Sequence, residues 1–454
     1  MVRFAILSAL MLLVASAADL PKGRIIDRVV SSADARQSYA LYLPSAYSAS
    51  RKWPVLYCLE PLARGRLPLE RFLEGAEKYG YIVAGSYNSR NGPIAVASEA
   101  LQAMWRDTHE TLSIDDRRAY LAGMSGGARD VTTFVTSGYF AGVIAQAAGF
   151  SGSVVPRDFA FPFFGTAGTE DFNYAEMRQV DRELEARGTP HRLVLFAGPH
   201  GWAPSTVCSD ALAWFDLLAM RAGTKPVDKP LIHGLFESGI ERAKASETAN
   251  DLIGAYLEAR SVAVDFKGWE DTAGLEKKVA ELRDSKEYRK ALKAEERAIT
   301  RQHELLTKIL SLARDLNGPG GQDSLISLRN SIAELRASGA AAQDSDERRV
   351  ARRVLQEATV TSWEQSWVRR EKKEYNGAAA DLELASLIEP DNPEVLYSLA
   401  GLYALANDRA RAMSCLKKAV DKGFEDRARL QADPSFDSIR ARADFRALAG
   451  QGTR

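Results

Sequence analysis

The feature that most constrains the fold is an alternation of two hydrophobic patterns between about Ile25 and Arg221. Short apolar runs rich in β-branched and aromatic residues, typical of strands, recur as RIIDRVV, SYALYLP, PVLYCL, YIVAGS, AYLAG, GVIAQAA, FPFFGTAG and HRLVLFAG. Amphipathic segments typical of helices separate the later runs, among them PIAVASEALQAMWRDTHETL, EMRQVDRELEARG and CSDALAWFDLLAMRAG. The pattern predicts a mostly parallel α/β sandwich of about eight strands, with an antiparallel start because no helix separates the first two runs.

A linker and a long helical region follow this sandwich. The stretch Gly223–Pro230, GTKPVDKP, combines Pro and Lys with no apolar periodicity, so it predicts a break after residue 224. Residues 225–355 have helical periodicity, interrupted by the stretches NGPGGQDS and ASGAAAQDSD. We therefore expect an α/β domain over residues 18–224 and a helical region over residues 225–355.

The last part of the chain, residues 356–454, carries a repeat pattern. Large and small residues fall at the repeat positions Leu396, Leu399, Ala400, Tyr403, Ala412, Leu416 and Ala419, and matching second-helix positions lie one repeat length earlier at Ala378, Leu382 and Ala385. This spacing resembles the tetratricopeptide repeat, in which small residues allow two helices to pack closely. The resemblance implies a helical docking module for a protein partner, although any antiparallel helix pair shows some of these positions.

The N-terminus predicts export. Arg3, an apolar run and then Ala15-Ser16-Ala17 have the layout of a secretory signal peptide over residues 1–17. The apolar run is too short to span a bilayer comfortably, so we expect no membrane span after cleavage and a periplasmic or secreted mature protein. Sixty basic and sixty acidic side chains cancel, which argues against nucleic-acid binding. Cys58 and Cys208 either form one bridge or are separately buried.

The stretch Gly123-Met124-Ser125-Gly126-Gly127 predicts a catalytic serine. The strand AYLAG leads into it, and GGARDVTTFVTSG behind it has a helical pattern. A strand, a serine and a helix in this order form a nucleophile elbow, in which the tight turn requires small residues two before and two after the serine. The amide of Gly126 then points to the same space as the hydroxyl, as one donor of an oxyanion hole. A plain glycine-rich loop is the alternative.

A serine nucleophile needs a base and an orienting acid. Of the five histidines, His200 alone lies in a loop between a strand and the last helix of this domain. Asp171, with Glu170 as the second candidate, directly follows the strand FPFFGTAG. The chain order Ser125, Asp171, His200 is that of α/β-hydrolases, with each member at the carboxyl end of a strand. We identify no metal-ligand set and no cofactor motif.

The segments SIDDRRAYLAGMSGGA, FFGTAGTEDFNY and AGPHGW carry a family resemblance. They resemble the esterase branch of the α/β-hydrolase superfamily, which includes esterase-D-like enzymes, feruloyl and acetyl-xylan esterases, polyhydroxybutyrate depolymerases and dienelactone-hydrolase-like proteins. The resemblance covers about residues 25–221. It implies an α/β-hydrolase sandwich with Ser125 as nucleophile, His200 as base and Asp171 as the orienting acid.

The loop after the third strand departs from this family. Such proteins usually carry a His-Gly stretch there, whose amide completes the oxyanion hole. This chain has Glu60-Pro61-Leu62-Ala63-Arg64 instead. Pro61 has no N–H, so the second donor is expected to be Leu62, with Ala63 as the alternative.

Five further residues near the carboxyl ends of the strands are candidates for substrate contact: Arg64, Asn88, Arg90, Arg129 and Trp202. The arginines could receive an anion, or they are ordinary surface or salt-bridged side chains. No large insertion separates the motifs, so the site should be open. We therefore expect an exported serine esterase acting on small or polymer-attached acyl groups. A catalytically idle domain serving as an interaction module and a serine peptidase remain the alternatives.

Overall fold

A computed structural model of the chain describes residues 20–317 and 321–450. The signal peptide predicted over residues 1–17 lies outside the described residues. Two compact units divide between Lys293 and Ala294, which is further along the chain than the linker at Gly223–Pro230. Within the described ranges, no helix combines the length and the apolar composition needed to cross a membrane.

The first unit is built around one eight-stranded sheet. Its strands are β1 (Ile25–Val30), β2 (Ser38–Tyr42), β3 (Trp53–Leu59), β4 (Ile82–Ser86), β5 (Ile114–Met124), β6 (Val143–Gln146), β7 (Phe163–Glu170) and β8 (His191–Pro199). Its helices are α1 (Arg66–Tyr79), α2 (Ile94–Thr111), α3 (Gly126–Phe134), α4 (Tyr174–Arg187), α5 (Ser205–Arg221), α6 (Lys229–Thr248), α7 (Leu252–Asp265) and α8 (Ala273–Asp284). Short 3-10 turns occupy Val135–Ser137 and Ser151–Ser153.

The strand order is β1-β2-β4-β3-β5-β6-β7-β8. The strand β2 pairs antiparallel with β1 and β4, whereas every pair from β4 through β8 is parallel. The strands β2 to β7 are buried on both faces between two apolar clusters, as continuous apolar runs require, whereas the edge strands β1 and β8 are partly exposed. The prediction of a mostly parallel sheet with an antiparallel start is therefore confirmed, and the carboxyl ends of the adjacent parallel strands β3 to β8 share one edge.

The helices α6 and α7 belong to the same unit as the sheet. Tyr256 and Leu257 of α7 lie in the apolar cluster on one face of the sheet. Arg192 on the edge strand β8 donates to Asp265 at 2.5 Å, and Arg260 donates to Asp181 of α4 at 2.5 Å. Buried ion pairs and apolar contacts together hold α7 against β8 and α4.

The two cysteines of this unit are not bridged. Cys58 on β3 and Cys208 on α5 are both fully buried with free thiols. Burial raises the pKa of Cys208 to about 12. Of the two sequence interpretations, the structure shows separate burial.

The second unit contains helices without strands in its described residues. The helix α9 (Lys286–Arg314) crosses the boundary, followed by a 3-10 turn at Asp315–Asn317. The others are α10 (Gly321–Gly339), α11 (Asp346–Glu371), α12 (Tyr375–Ile388), α13 (Pro393–Leu405), α14 (Arg409–Asp421), α15 (Arg427–Ala432), a 3-10 turn at Pro434–Phe436, and α16 (Ala443–Leu448). All ten repeat positions named from the sequence are buried, and they lie in one cluster formed mainly by α12, α13 and α14.

Candidate active site

Ser125 lies in a strained turn between β5 and α3. Its backbone has φ 54° and ψ −121°, a conformation that non-glycine residues rarely adopt. The amide of Ser125 donates to the carbonyl of Gln146 at 2.9 Å, and its own carbonyl accepts from the amide of Ala128 at 2.9 Å. The chain therefore reverses at Ser125 between a strand and a helix, as the nucleophile-elbow pattern predicts.

The flanking glycines make this turn sterically possible. A Cβ atom on Gly123 would lie 2.1 Å from the carbonyl oxygen of Gly127. A Cβ atom on Gly127 would lie 2.3 Å from the carbonyl oxygen of Leu59 at the end of β3. Both distances are far below van der Waals contact with backbone atoms that cannot move aside, so no larger residue fits at either position.

His200 and Asp171 are hydrogen-bonded at the same edge of the sheet. The parallel strands β7 and β8 place Glu170 opposite Pro199, so the next residue of each chain segment meets its counterpart. The Nδ1 atom of His200 lies 2.9 Å from Oδ1 of Asp171. Of the two acidic candidates, Asp171 therefore bears this bond. A carboxylate acceptor fixes the tautomer with hydrogen on Nδ1, which makes Nε2 the basic nitrogen of the ring.

The surroundings of this pair suit an orienting acid. The side chain of Asp171 is 0% exposed and that of His200 is 10% exposed. The amide of Asn173 donates to the same Oδ1 atom at 2.8 Å, and the ring of Phe172 stacks on the imidazole with centroids 4.2 Å apart. The carboxylate is held on one side by a backbone amide, while the imidazole is held in plane by an aromatic ring.

The loop after β3 corrects the expected oxyanion hole. The amide of Leu62, expected as the second donor, instead donates to Oε2 of Glu60 at 2.7 Å. The amide of Ala63, the alternative, donates to the carbonyl of Glu60 at 3.1 Å. The amide of Arg64 also donates to Oε2 of Glu60, at 3.1 Å. Because Glu60 is fully buried, its carboxylate accepts from the amides of Leu62 and Arg64 in its own loop.

Gly126, predicted as the other oxyanion donor, lies at the start of a helix. It is the first residue of α3, and the first amides of a helix have no partner within the helix. Its N–H therefore remains available beside Ser125. The helix dipole adds a partial positive charge at this end.

Four of the five predicted substrate contacts have structural partners. Arg64 pairs with the Glu60 carboxylate, and Arg129 pairs with Glu176 at 2.8 Å. Asn88 accepts from the amide of Ser38 at 2.8 Å and donates to the carbonyl of Arg36 at 3.0 Å. Trp202 is 8% exposed and packs edge-on against Phe72. These side chains support the loops, and their partners explain their presence without a substrate.

The fifth, Arg90, is exposed and its backbone forms an isolated β-bridge with Leu62. Its neighbour Asn91, which sequence reasoning did not select, lies against the elbow. A Cβ atom on Gly126 would lie 1.9 Å from Oδ1 of Asn91. Asn91 lies in the loop that follows the fourth strand, and this placement is the one feature of the sequence that could have identified it as a site residue.

No metal-binding arrangement is found in the described ranges, where no group of three or more His, Cys, Asp or Glu side chains could hold an ion. The groups on which the predicted chemistry would depend are the hydroxyl of Ser125, the imidazole of His200 and the carboxylate of Asp171.

Comparisons with known proteins give structural likenesses alone. No protein-family model matches the chain. No curated protein matches it either. Among solved structures, it is similar to fluorophosphonate-binding serine hydrolase F of Staphylococcus aureus at 15% identity, over 43% of this chain and 99% of the other, with a TM-score of 0.36.

Two other solved structures give similar values. Esterase B from Lactobacillus rhamnosis is 16% identical over 46% of this chain and 93% of the other, with a TM-score of 0.37. An S-formylglutathione hydrolase from Agrobacterium tumefaciens is 17% identical over 42% of this chain and 93% of the other, with a TM-score of 0.33.

Proposed function

We propose that this protein is a serine hydrolase that cleaves carboxylic esters through an acyl-enzyme on Ser125. The observation that carries the proposal is the 2.9 Å hydrogen bond between His200 and the buried Asp171, at the same sheet edge as the strained turn of Ser125. A histidine that only contacts solvent does not require a buried carboxylate partner, and a loop that only connects two elements does not require a serine in a strained conformation. Their occurrence together is what nucleophilic catalysis requires.

The proposed reaction has two steps. The Oγ atom of Ser125 attacks the ester carbonyl carbon while Nε2 of His200 takes the hydroxyl proton, and the C–O bond to the alcohol then breaks as the imidazolium returns that proton to the leaving oxygen. Water next attacks the acyl-enzyme, with His200 again as base, and releases the acid and the free serine. Asp171 stabilises the imidazolium in both steps.

The surroundings of Ser125 support small or accessible acyl groups as substrates. The connection between β6 and β7, residues 147–162, holds one short 3-10 turn and no longer helix. Exposed apolar side chains stand in or just after the connections that follow β3, β4 and β6, namely Leu62, Ile94 and Val154. Short connections and exposed apolar side chains of this kind suit a short acyl chain or an acyl group on a polymer better than a long lipid chain.

A series of p-nitrophenyl esters tests this function. We expect turnover that is highest for short acyl chains and that is lost in Ser125→Ala. Equal turnover by Ser125→Ala would contradict the proposal. A folded wild-type protein that leaves every ester and acetylated-sugar substrate intact would favour the second candidate, an idle domain that acts in binding. The observation favouring this alternative is the Leu62 amide, which is already bonded to Glu60.

We extend the proposal to export and to a protein partner. The Arg3 and Ala15-Ser16-Ala17 pattern supports cleavage near Ala18, which N-terminal sequencing of the mature protein would test. The buried small residues of α12, α13 and α14 support a tetratricopeptide-like docking module. A partner captured equally by wild type and by Ser125→Ala would show that docking and turnover are separate functions.

A further inference from the structure

In the loop after β3, the backbone amides that the sequence offered for an oxyanion are engaged elsewhere. Pro61 has no N–H, and the amides of Leu62, Ala63 and Arg64 all donate to Glu60. Within the described residues, this leaves the Gly126 amide as the one backbone donor that we can assign to the negative charge forming on the substrate. A tetrahedral oxyanion is ordinarily held by two or more donors, so a side chain is expected to supply the second.

The carboxamide of Asn91 lies against Gly126. A Cβ atom built on Gly126 would lie 1.9 Å from Oδ1 of Asn91, 2.9 Å from its Cγ and 3.4 Å from its Nδ2. In the described part of the chain, no protein group hydrogen-bonds this carboxamide. A side-chain amide with unused donors therefore lies beside the first amide of α3, one residue from the nucleophile.

The backbone of Asn91 is held in place by the loop after β3. Its amide donates to the carbonyl of Pro61 at 2.9 Å, and the preceding residue Arg90 forms a β-bridge with Leu62. These backbone contacts hold the loop after β4 against the loop after β3. A donor on a pinned backbone is preorganised, which is the property an oxyanion donor needs.

We propose that the Nδ2–H of Asn91 is the second oxyanion donor, acting beside the N–H of Gly126; this inference rests on the proposed function. A half-turn of the carboxamide about its last torsion exchanges Oδ1 and Nδ2 and places the N–H next to Gly126. The carboxylate and the backbone carbonyl of Glu60 explain why a side chain is used, since together they accept from the amides that would otherwise serve. The absence of a Cβ on Gly126 leaves the room that the carboxamide fills.

The test compares Asn91→Ala, Asn91→Asp and wild type with p-nitrophenyl acetate. We expect Asn91→Ala to lower kcat by ~100- to 1,000-fold, with KM changed by less than about threefold, because the donor acts on the transition state. Asn91→Asp keeps the shape but places a carboxylate beside the oxyanion, so we expect at least the same loss. The affinity for a boronic acid that mimics the tetrahedral intermediate should fall in parallel with kcat/KM.

Gln102→Ala is the matched control, because it removes an exposed carboxamide from α2, which begins after Asn91. It should behave as wild type. If wild type turns over and Asn91→Ala and Asn91→Asp both keep its kcat, the assignment of Asn91 is overturned while the proposed function stands. If wild type neither turns over nor reacts with a fluorophosphonate, the proposed function itself fails. Because Asn91 is exposed, its variants should unfold at the wild-type urea concentration, and a fall in kcat without a fall in stability supports the assignment.

Discussion

The imidazole of His200 and the carboxylate of Asp171 are joined by a 2.9 Å hydrogen bond, although the two residues lie 29 positions apart in the chain. The pairing follows from the parallel register of β7 and β8, which sets Glu170 opposite Pro199. The bond therefore depends on the sheet and not on a flexible loop, so the base is oriented before substrate arrives.

Asp171→Asn should lower kcat for ester turnover by ~10,000-fold, because an amide in this place no longer holds the His200 tautomer with hydrogen on Nδ1. The measurement is steady-state kinetics on folded protein. Asp158→Asn removes an exposed carboxylate from the connection between β6 and β7, and it should keep wild-type kcat. Comparable activity in the two variants would show that Asp171 does not orient the base.

Gly127→Ala should destabilise the protein by about 1–3 kcal/mol or more and abolish turnover, because its methyl group would meet the carbonyl oxygen of Leu59. Urea unfolding measures the change. Gly234→Ala within α6 is the matched control, since a Cβ atom there has no neighbour within 4 Å. It should be neutral or slightly stabilising. A Gly127→Ala protein with wild-type stability would contradict the close approach of the turn to β3.

Asp130 on α3 gives a prediction for pH. Burial raises the pKa of its carboxyl group to about 6 in the folded protein. Because the folded pKa lies above the unfolded one, the unfolded state binds fewer protons between about pH 4 and 6, and this residue's contribution falls as pH rises through that window. The free energy of unfolding of Asp130→Asn should therefore exceed that of wild type by about 1 kcal/mol at pH 8, after allowance for the solvent exposure of the site. At pH 4 the two proteins should be equally stable. Urea unfolding at both values tests it. An equal difference at both would refute the linkage.

The helix α7 gives a prediction about the extent of the folded unit. A chain ending at residue 224 lacks Arg260 and Asp265, so the buried Arg192 loses its carboxylate partner and the buried Asp181 keeps only His191 and Arg178. Although burial opposes it, hydrogen bonds from His191 and Arg260 lower the pKa of Asp181 to about 2, which shows how strongly its charged form is held. Breaking such a pair costs about 3–5 kcal/mol.

The measurement compares chains of residues 20–224 and 20–293 by urea unfolding. We expect the longer chain to unfold in one cooperative transition and the shorter to be aggregated or to unfold at lower urea. Equal midpoints for the two chains would show that α6 to α8 are dispensable for the sheet.

Much of the first unit could be predicted because its signals are local. The strand runs and the helices α2, α4 and α5 follow from hydrophobic periodicity alone. The helix α1 was not identified because Pro68 and Gly75 interrupt its pattern. Pro68 lies in the first turn, where no amide is lost, and Gly75 allows close approach to α5, with its missing Cβ only 2.7 Å from Cα of Ser209. Packing between elements, which the sequence does not display, explains that glycine.

The residues of the candidate site also fall into those that the sequence predicts and those that it does not. Ser125, Asp171 and His200 could be selected because each follows a strand, and parallel strands bring their ends together. The engagement of Leu62 could not be foreseen, because it depends on the Glu60 side chain folding back on its own loop. The position of Asn91 depends on the hydrogen bond between its amide and the carbonyl of Pro61, which joins two loops that are distant in the chain. A contact of this kind is visible only in the three-dimensional structure.

The most direct test of the catalytic role of Ser125 is covalent labelling with a fluorophosphonate, followed by mass spectrometry of the modified peptide. We expect a single adduct on Ser125 in the native protein, and none after heat denaturation or in Ser125→Ala. An unlabelled native protein, or an adduct that persists in Ser125→Ala, would contradict the assignment of Ser125 as the nucleophile.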